Sequence, residues 1–586
     1  MLPEGSRYDD LLKLPKGSNL GTALVEVMNA IERDFAPLKG QLPREYDKFG
    51  NDLLESLLRI FDSELLRTAG GDVFGRIYEY FLMKFAMQGA QDNGEFFTPP
   101  SLVQTIVNVI EPGHGIVFDP ACGSGGMFVQ SSHFIERQGA DTGYRVSFFG
   151  QEKTGTTIRL AKMNLAVHGL EGDIREANTF YEDVHTLYGK CDYVMANPPF
   201  NVDMVDAEKV KTDRRLPFGL PGVNKTKKVS NGNYLWISYF WSYLNKKGRA
   251  GFVMSSQASS AGHGEAEVRR KLVETGSVDV MISIRSNFFY TRTVPCELWH
   301  FDKGKPAERH DKVLMIDARN LYRKVTRKIY DFSPEQLANL TAIVWLYRGE
   351  KKRFLGLQES YRDKCRGQRR ALQASLPAMV DAYQQLGIAI KHCDTPLSKE
   401  FQQAMIANEK DAEALNEKIR QRDYTKDKKA LPELANECKA LLHRIREMRK
   451  VADPMVKLAL QNAENGEPKK ELRVQWHETE SRLDETAAAA EANIYFTRHL
   501  EWLLHRFPKA EFVAVPGLCR VVSVADIKKA DWSLTPGRYV GVAPAEVDED
   551  FDFEEAMRDI HVELADLNKE ATTLAGKIQD KFEDLV

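Results

Sequence analysis

The stretch GIVFDPACGSGGMF, Gly115–Phe128, decides the fold. Its apolar run reads as a buried strand. Gly123, Gly125 and Gly126 behind it read as a sharp turn into a helix. Downstream come further short apolar runs: RVSFFGQE (145–152), DIREAN (173–178), CDYVMAN (191–197), RAGFVMS (249–255), VDVMISI (278–284) and CELWHFDK (296–303). Most are followed by a turn or a helical pattern. Strands alternating with helices predict an α/β domain with a mostly parallel sheet. No long helical pattern separates the last two runs, so they are expected to add antiparallel at the sheet's end.

The chain has 586 residues, so more than one domain is expected. Residues 1–90 read as a helical domain, with apolar residues at helical spacing in LVEVMNAI, LLESLLRIF and DVFGRIYEYFLMKFA. Residues 91–334 hold the α/β domain. Residues 335–510 are charged and helix-rich, either solvated helices with one buried stripe or a surface for another subunit. Residues 511–586 end in a helix whose Phe553, Met557, Ile560, Leu564, Leu567, Ala571, Leu574 and Ile578 keep a heptad spacing. No internal repeat stands out.

Seven scattered cysteines without a CxxC pair argue against a zinc site or a disulfide framework, and for a reducing, cytoplasmic setting. No metal site is expected. No apolar run is long enough to cross a bilayer, and the first residues lack the layout of a signal peptide. The formal net charge is −3. A protein that grips DNA alone usually shows a basic surface, so any basic surface here must be local, or a partner supplies part of the grip.

In open α/β sheets, ligands bind outside the carboxyl ends of the strands at the switch point. Asp119, Ala121, Gly123 and Gly125 occupy that place after the first strand. Asp119 is placed to receive the charged amino group of a methyl donor's methionine moiety, and the glycines let backbone approach the ligand. Glu152, at the end of the second strand, suits both hydroxyls of a ribose. The loop is neither GxxxxGK[ST] nor a good GxGxxG, which disfavours nucleoside triphosphate and NAD. A second motif, Asn197-Pro198-Pro199-Phe200, follows the strand CDYVMA. The lone pair of an exocyclic base amine is delocalised into its ring. The Asn197 side-chain oxygen and the Pro198 carbonyl can accept both amine hydrogens and aim the lone pair at a methyl group. Pro198 and Pro199 fix that geometry, and Phe200 can stack on a base that has left the duplex.

GEFFTPP (94–100), DPACGSGGMF and NPPF, in that order, resemble the amino-group adenine-N6 DNA methyltransferases in which a TPP element precedes the glycine turn. More closely, the chain resembles the modification (M) subunit of type I restriction–modification systems. DVFGRIYEYFL (72–82), LTPGRYVGV (534–542) and the closing heptad segment are similar to that family as well. The resemblance covers most of residues 60–310 and 530–586. It implies an S-adenosylmethionine-dependent methyltransferase fold with a mostly parallel seven-stranded sheet, a helical N-terminal domain and a helical C-terminal extension. It implies S-adenosyl-L-methionine as cofactor, with Phe97 and Thr98 at its methionine end and Asn178 beside its adenine ring, where the family often has Asp. It further implies a flipped adenine in double-stranded DNA as target, a DNA specificity subunit, a motor–nuclease restriction subunit and two copies of this chain per complex.

Two other readings stay open: a stand-alone phage-defence DNA methylase, and an amino or amide methyltransferase acting on RNA or protein. Residues 201–230 carry Lys209, Lys211, Arg214, Arg215, Lys225, Lys227 and Lys228 against four acids. With four Pro and Gly residues among them, they read as a mobile basic loop for phosphates, or as a solvated insertion. No nuclease or helicase motif stands out.

Overall fold

A computed structural model describes residues 2–62, 71–88, 97–289, 294–326, 329–421, 430–463, 466–543 and single helical positions within 557–575. Its central sheet has nine strands: β1 Gly115–Asp119, β2 Val146–Glu152, β3 Gly172–Glu176, β4 Cys191–Ala196, β5 Leu244–Ser255, β6 Val278–Ile284, β7 Cys296–Asp302, β8 Lys312–Asp317 and β9 Cys519–Ser523. Their order is β3-β2-β1-β4-β5-β7-β6-β8-β9. β1–β6 and β8 run parallel, whereas β7 and β9 are antiparallel to their neighbours. Every residue of β6 and β7 is buried, as expected for strands covered on both faces.

Three differences from the sequence reading stand out. The sheet has nine strands, not seven, because KVLMID and CRVVS extend it past β6. β7 is antiparallel as expected, but it inserts between β5 and β6 rather than capping the edge. The chain also divides into compact units at Met1–Val540 and Gly541–Val586. Residue 511 is therefore no boundary, since β9 beyond it pairs with β8.

One face of the sheet is covered by helices Pro100–Ile110, Gly126–Arg137 and Pro334–Arg348, whose Ile106, Phe128 and Ile343 join one core with Val117 and Met195. The other face packs helices Asn233–Tyr243 and His263–Glu274 through Tyr234, Phe240 and Leu272. Between 351 and 506 the described residues include four helices, Lys351–His392, Lys399–Gln421, Ala430–Asn462 and Glu467–Arg506. They enclose their own core around Met379, Tyr383, Leu441 and Leu483. At a rise of ~1.5 Å per residue, the longest of these runs for roughly 60 Å. The N-terminal helices Leu20–Asp34 and Asn51–Ile60 pack Leu24, Val27 and Leu54 together. Among the described residues, no helix is long and apolar enough to cross a membrane.

In the second unit, Met557, Ile560 and Leu564 are helical and exposed, as is Ala571. The other seam positions, Phe553, Leu567, Leu574 and Ile578, lie outside the described residues.

Candidate functional site

Because β1–β4 are parallel neighbours, their carboxyl ends stand side by side. β1 ends at Asp119, and the chain turns through residues 120–125 into helix Gly126–Arg137. Gly123 and Gly125 have φ of 52° and 79°. A side chain is strained in that region, which is why the turn demands glycine. The Gly125 N–H donates to the Cys122 carbonyl at 2.8 Å, and the Cys122 N–H donates to Gln151 of β2 at 3.0 Å. The turn is thereby tied to the next strand.

Asp119 is 1% exposed, and its Oδ1 accepts the Ala121 N–H at 2.9 Å. No cation pairs with it among the described residues. Burial holds its carboxyl well above the usual carboxylate range; the Ala121 N–H pulls it down and the charge of Glu152 pushes it up. Glu152 Oε2 accepts the Gly123 N–H at 3.2 Å, and Oε1 accepts the Lys153 and Thr154 N–H groups. Two neighbouring acids, one buried and unpaired, make a place that gains from a cation. At the end of β3, the Ala177 N–H donates to the Glu152 carbonyl at 3.0 Å, and Asn178 Oδ1 accepts the Phe180 N–H. A cavity of about 310 Å³ opens here, lined by Ala121, Glu152, Asn178, Phe180, Pro199 and Trp236 among others. Residues from all four strand ends or their flanks thus converge on one cavity. Phe180 and Trp236, with ring centroids 4.7 Å apart, were not singled out in the sequence.

S-adenosylmethionine fits these residues: its ammonium and sulfonium charges answer the Asp119–Glu152 pair, and its ribose needs the kind of acceptor that Glu152 offers.

Asn197 follows β4 directly. Its Nδ2 donates to Thr98 Oγ1 at 3.0 Å. This contact fixes the amide's orientation, and no protein donor among the described residues takes its Oδ1. Thr98, which the resemblance places at the cofactor, therefore also holds Asn197. Phe97, just before it, is half-buried, whereas Gly94, Glu95 and Phe96 lie outside the described residues. Pro198 is buried; Asn197, Pro199 and Phe200 are half-buried. The Phe200 ring meets Phe289 edge-on, centroids 6.1 Å apart. Phe289 lies between β6 and β7, where no sequence motif marked it.

Asn201 has φ 55°. Its N–H donates to Asn233 Oδ1 at 2.8 Å, and its Oδ1 accepts from Asn233 Nδ2 at 2.9 Å and Asn231 Nδ2 at 3.1 Å. The NPPF loop is thus fastened to the start of helix Asn233–Tyr243. The only sequence signal was the polar turn SNGN before that aromatic helix.

The segment 201–230 is packed rather than a free loop. Val205–Asp206 pairs with Lys228–Val229, and Val210, Leu216 and Phe218 are buried. Most of its charge is neutralised. Arg215 is buried, paired with Asp213 and stacked over Tyr239 at 4.4 Å. Lys211 pairs with Glu208, Lys228 with Asp206, and Arg214 reaches Asp183.

A family model described as N-6 DNA Methylase matches residues 69–358. The chain is 37% identical over 338 residues to the type I restriction enzyme MjaIX methylase subunit of Methanocaldococcus jannaschii, covering 56% of this chain and 59% of that protein. It is 31% identical over 353 residues to the HindI methylase subunit of Haemophilus influenzae, covering 58% of this chain and 75% of that one. Among solved structures, the fold is shared with the type I restriction-modification system methyltransferase subunit from Streptococcus thermophilus. The TM-score there is 0.51 at 20% identity, over 59% of this chain and 74% of that one.

Proposed function

Because this chain belongs to the family of type I restriction enzyme methylase subunits, we propose that it transfers a methyl group from S-adenosylmethionine to N6 of an adenine flipped out of duplex DNA. The observation that carries this reading is Asn197. Its amide nitrogen is engaged by Thr98, which leaves the oxygen as an acceptor two residues before Pro199, the residue of this motif that lines the cavity beside the glycine turn. S-adenosylmethionine supplies an electrophilic methyl on a cationic sulfur.

The protein's own part is positioning. Asn197 Oδ1 and the Pro198 carbonyl accept the two amine hydrogens, so the lone pair faces away from them and toward the methyl. These acceptors also favour the positive charge that develops on the nitrogen, an interaction stronger in the transition state than in the ground state. Phe200 offers a face for the base, worth ~1–3 kcal/mol against the few kcal/mol that flipping costs. Asp119 and Glu152 hold the cofactor's charged and ribose parts, Ala121, Gly123 and Gly125 shape the turn against it, Asn178 meets its adenine, and Phe97 and Thr98 border its methionine end.

The same reading makes this the catalytic subunit of a complex with a specificity subunit and, in the full assembly, a restriction subunit, with two copies of this chain. The segment 201–230 supports it, because Lys211, Arg214, Arg215 and Lys228 are already paired with acids and binding without sequence preference depends on how many phosphates are neutralised. The exposed apolar positions Met557, Ile560 and Leu564 suit a docking helix. Base-resolution mapping of modified adenines, with and without the co-purified specificity subunit, tests the proposal. Methylated adenine at one defined site, only with the partner, is expected. Efficient site-specific methylation by the chain alone would overturn the partner requirement, and methylation of another base would overturn the reaction.

A further inference from the structure

We propose that Arg269 is a positioning residue for the NPPF loop, acting through Tyr234 and Asn233, and that the segment Trp532–Val540 is part of the same support. Arg269 lies in helix His263–Glu274 and is 1% exposed. It makes no ion pair among the described residues. All its acceptors are neutral. Nε donates to the Trp532 carbonyl at 2.7 Å, and Nη1 donates to the Ala261 carbonyl at 2.7 Å, the Tyr234 hydroxyl at 3.0 Å and the Ala258 carbonyl at 3.3 Å. Glu265, one turn earlier on the same helix, is near enough for the two charges to attract but takes none of these hydrogen bonds, and a buried guanidinium is costly to desolvate. What the arginine adds is a fork that joins three separate pieces of chain.

The first piece is the start of helix Asn233–Tyr243. The Tyr234 hydroxyl, held by Arg269, itself donates to the Ala258 carbonyl at 2.5 Å. Its chain neighbour Asn233 makes the paired bonds that keep Asn201 in its left-handed conformation, one residue after Phe200. The second is the loop after β5, whose strand lies next to β4. The third is the segment Trp532–Val540. The Leu534 N–H donates to the Ser259 carbonyl at 2.8 Å, and Thr535 Oγ1 lies 2.7 Å from Ser259 Oγ. That segment is the last before the second compact unit begins at Gly541. Hydrogen bonds thus run from Trp532 through Arg269 to the Tyr234 hydroxyl and resume one residue along the chain from Asn233 to Asn201, and none of them touches the glycine turn or Glu152.

The inference rests on the methyl-transfer reading, so the test has one arm independent of activity. In the full chain, Arg269→Gln is expected to speed amide hydrogen exchange across residues 200–205 and leave residues 121–128 unchanged. In the active complex, kcat should fall roughly tenfold to a hundredfold, as for a small misplacement of reacting groups, with S-adenosylmethionine affinity retained. Asn233→Ala should show the same split. The double variant should be no slower than the worse single one, because both act through one loop. Should Arg269→Gln not fold, Arg269→Lys keeps the charge but loses the fork, and the same exchange pattern is expected of it. Unchanged exchange across residues 200–205 in a folded variant overturns the proposal, as do losses in kcat that multiply in the double variant. If the wild-type complex methylates no DNA while the exchange pattern appears, the function fails and the latch stands.

Discussion

Thr98→Val separates two roles for one side chain. Valine keeps the shape but removes the oxygen that accepts the Asn197 Nδ2 hydrogen at 3.0 Å. Thr98 is half-buried, so the loss is that of one neutral hydrogen bond, ~0.5–1.5 kcal/mol net. The Asn197 amide is then free to turn over and present a donor where the target amine needs an acceptor. At 1.36 kcal/mol per factor of ten, turnover should fall roughly twofold to twelvefold. Single-turnover methylation reads the rate, and calorimetric titration reads S-adenosylmethionine binding. If Thr98 acts on Asn197, the rate falls and the affinity holds. A variant that loses affinity in proportion, with an unchanged single-turnover rate at saturating cofactor, would refute the reasoning and return Thr98 to the cofactor alone.

Asp119→Asn keeps the acceptor for the Ala121 N–H and removes the buried charge. Because the Asp119 carboxyl is raised in the folded state, the stability it contributes is present at acid pH and lost as pH rises through its raised value. The asparagine variant should therefore melt higher at neutral pH without cofactor, yet gain little from S-adenosylmethionine in a thermal-shift assay. A variant stabilised by the cofactor as much as wild type would sink the assignment. Glu297 is buried beside Ser283, and burial pushes its carboxyl up to about 8. Its stabilising contribution is complete below the ordinary carboxylate range and disappears as pH climbs through about 8. Glu297→Gln should thus stabilise the chain on the alkaline side, by at most ~5 kcal/mol, and equal melting curves at pH 6 and pH 9 for both proteins would contradict this. Ile560 and Leu564 are exposed, so replacing both with Asp should leave the free chain's melting temperature unchanged but bury charge in any docked seam. Loss of co-purification with the specificity subunit is expected, and normal assembly would exclude this helix as the docking element.

The parts of the site legible in the sequence are those whose chemistry is local. A glycine turn needs positive φ at Gly123 and Gly125 whatever surrounds it, and the acid at the end of β2 and NPPF at the end of β4 follow from strand periodicity. What escaped depends on contacts between distant segments. Nothing local to CELWHFDK says that it slips between β5 and β6, and nothing in CRVVS says that it returns to the sheet after the whole helical region. Charge counting misread residues 201–230, because the pairing of Arg215 with Asp213 and its stacking on Tyr239 exist only once helix Asn233–Tyr243 is in place. Thr98 beside Asn197, Phe289 beside Phe200 and Asn233 beside Asn201 are juxtapositions of the same kind.

Asn197→Ala in the complex with the specificity subunit, followed by single-turnover transfer from labelled S-adenosylmethionine to DNA, tests the central claim most directly. Label on adenine N6 is expected with the wild-type chain. With the variant almost none is expected, while calorimetry still reports cofactor binding. Transfer at the wild-type rate by a folded Asn197→Ala chain would contradict it and place the reacting site elsewhere.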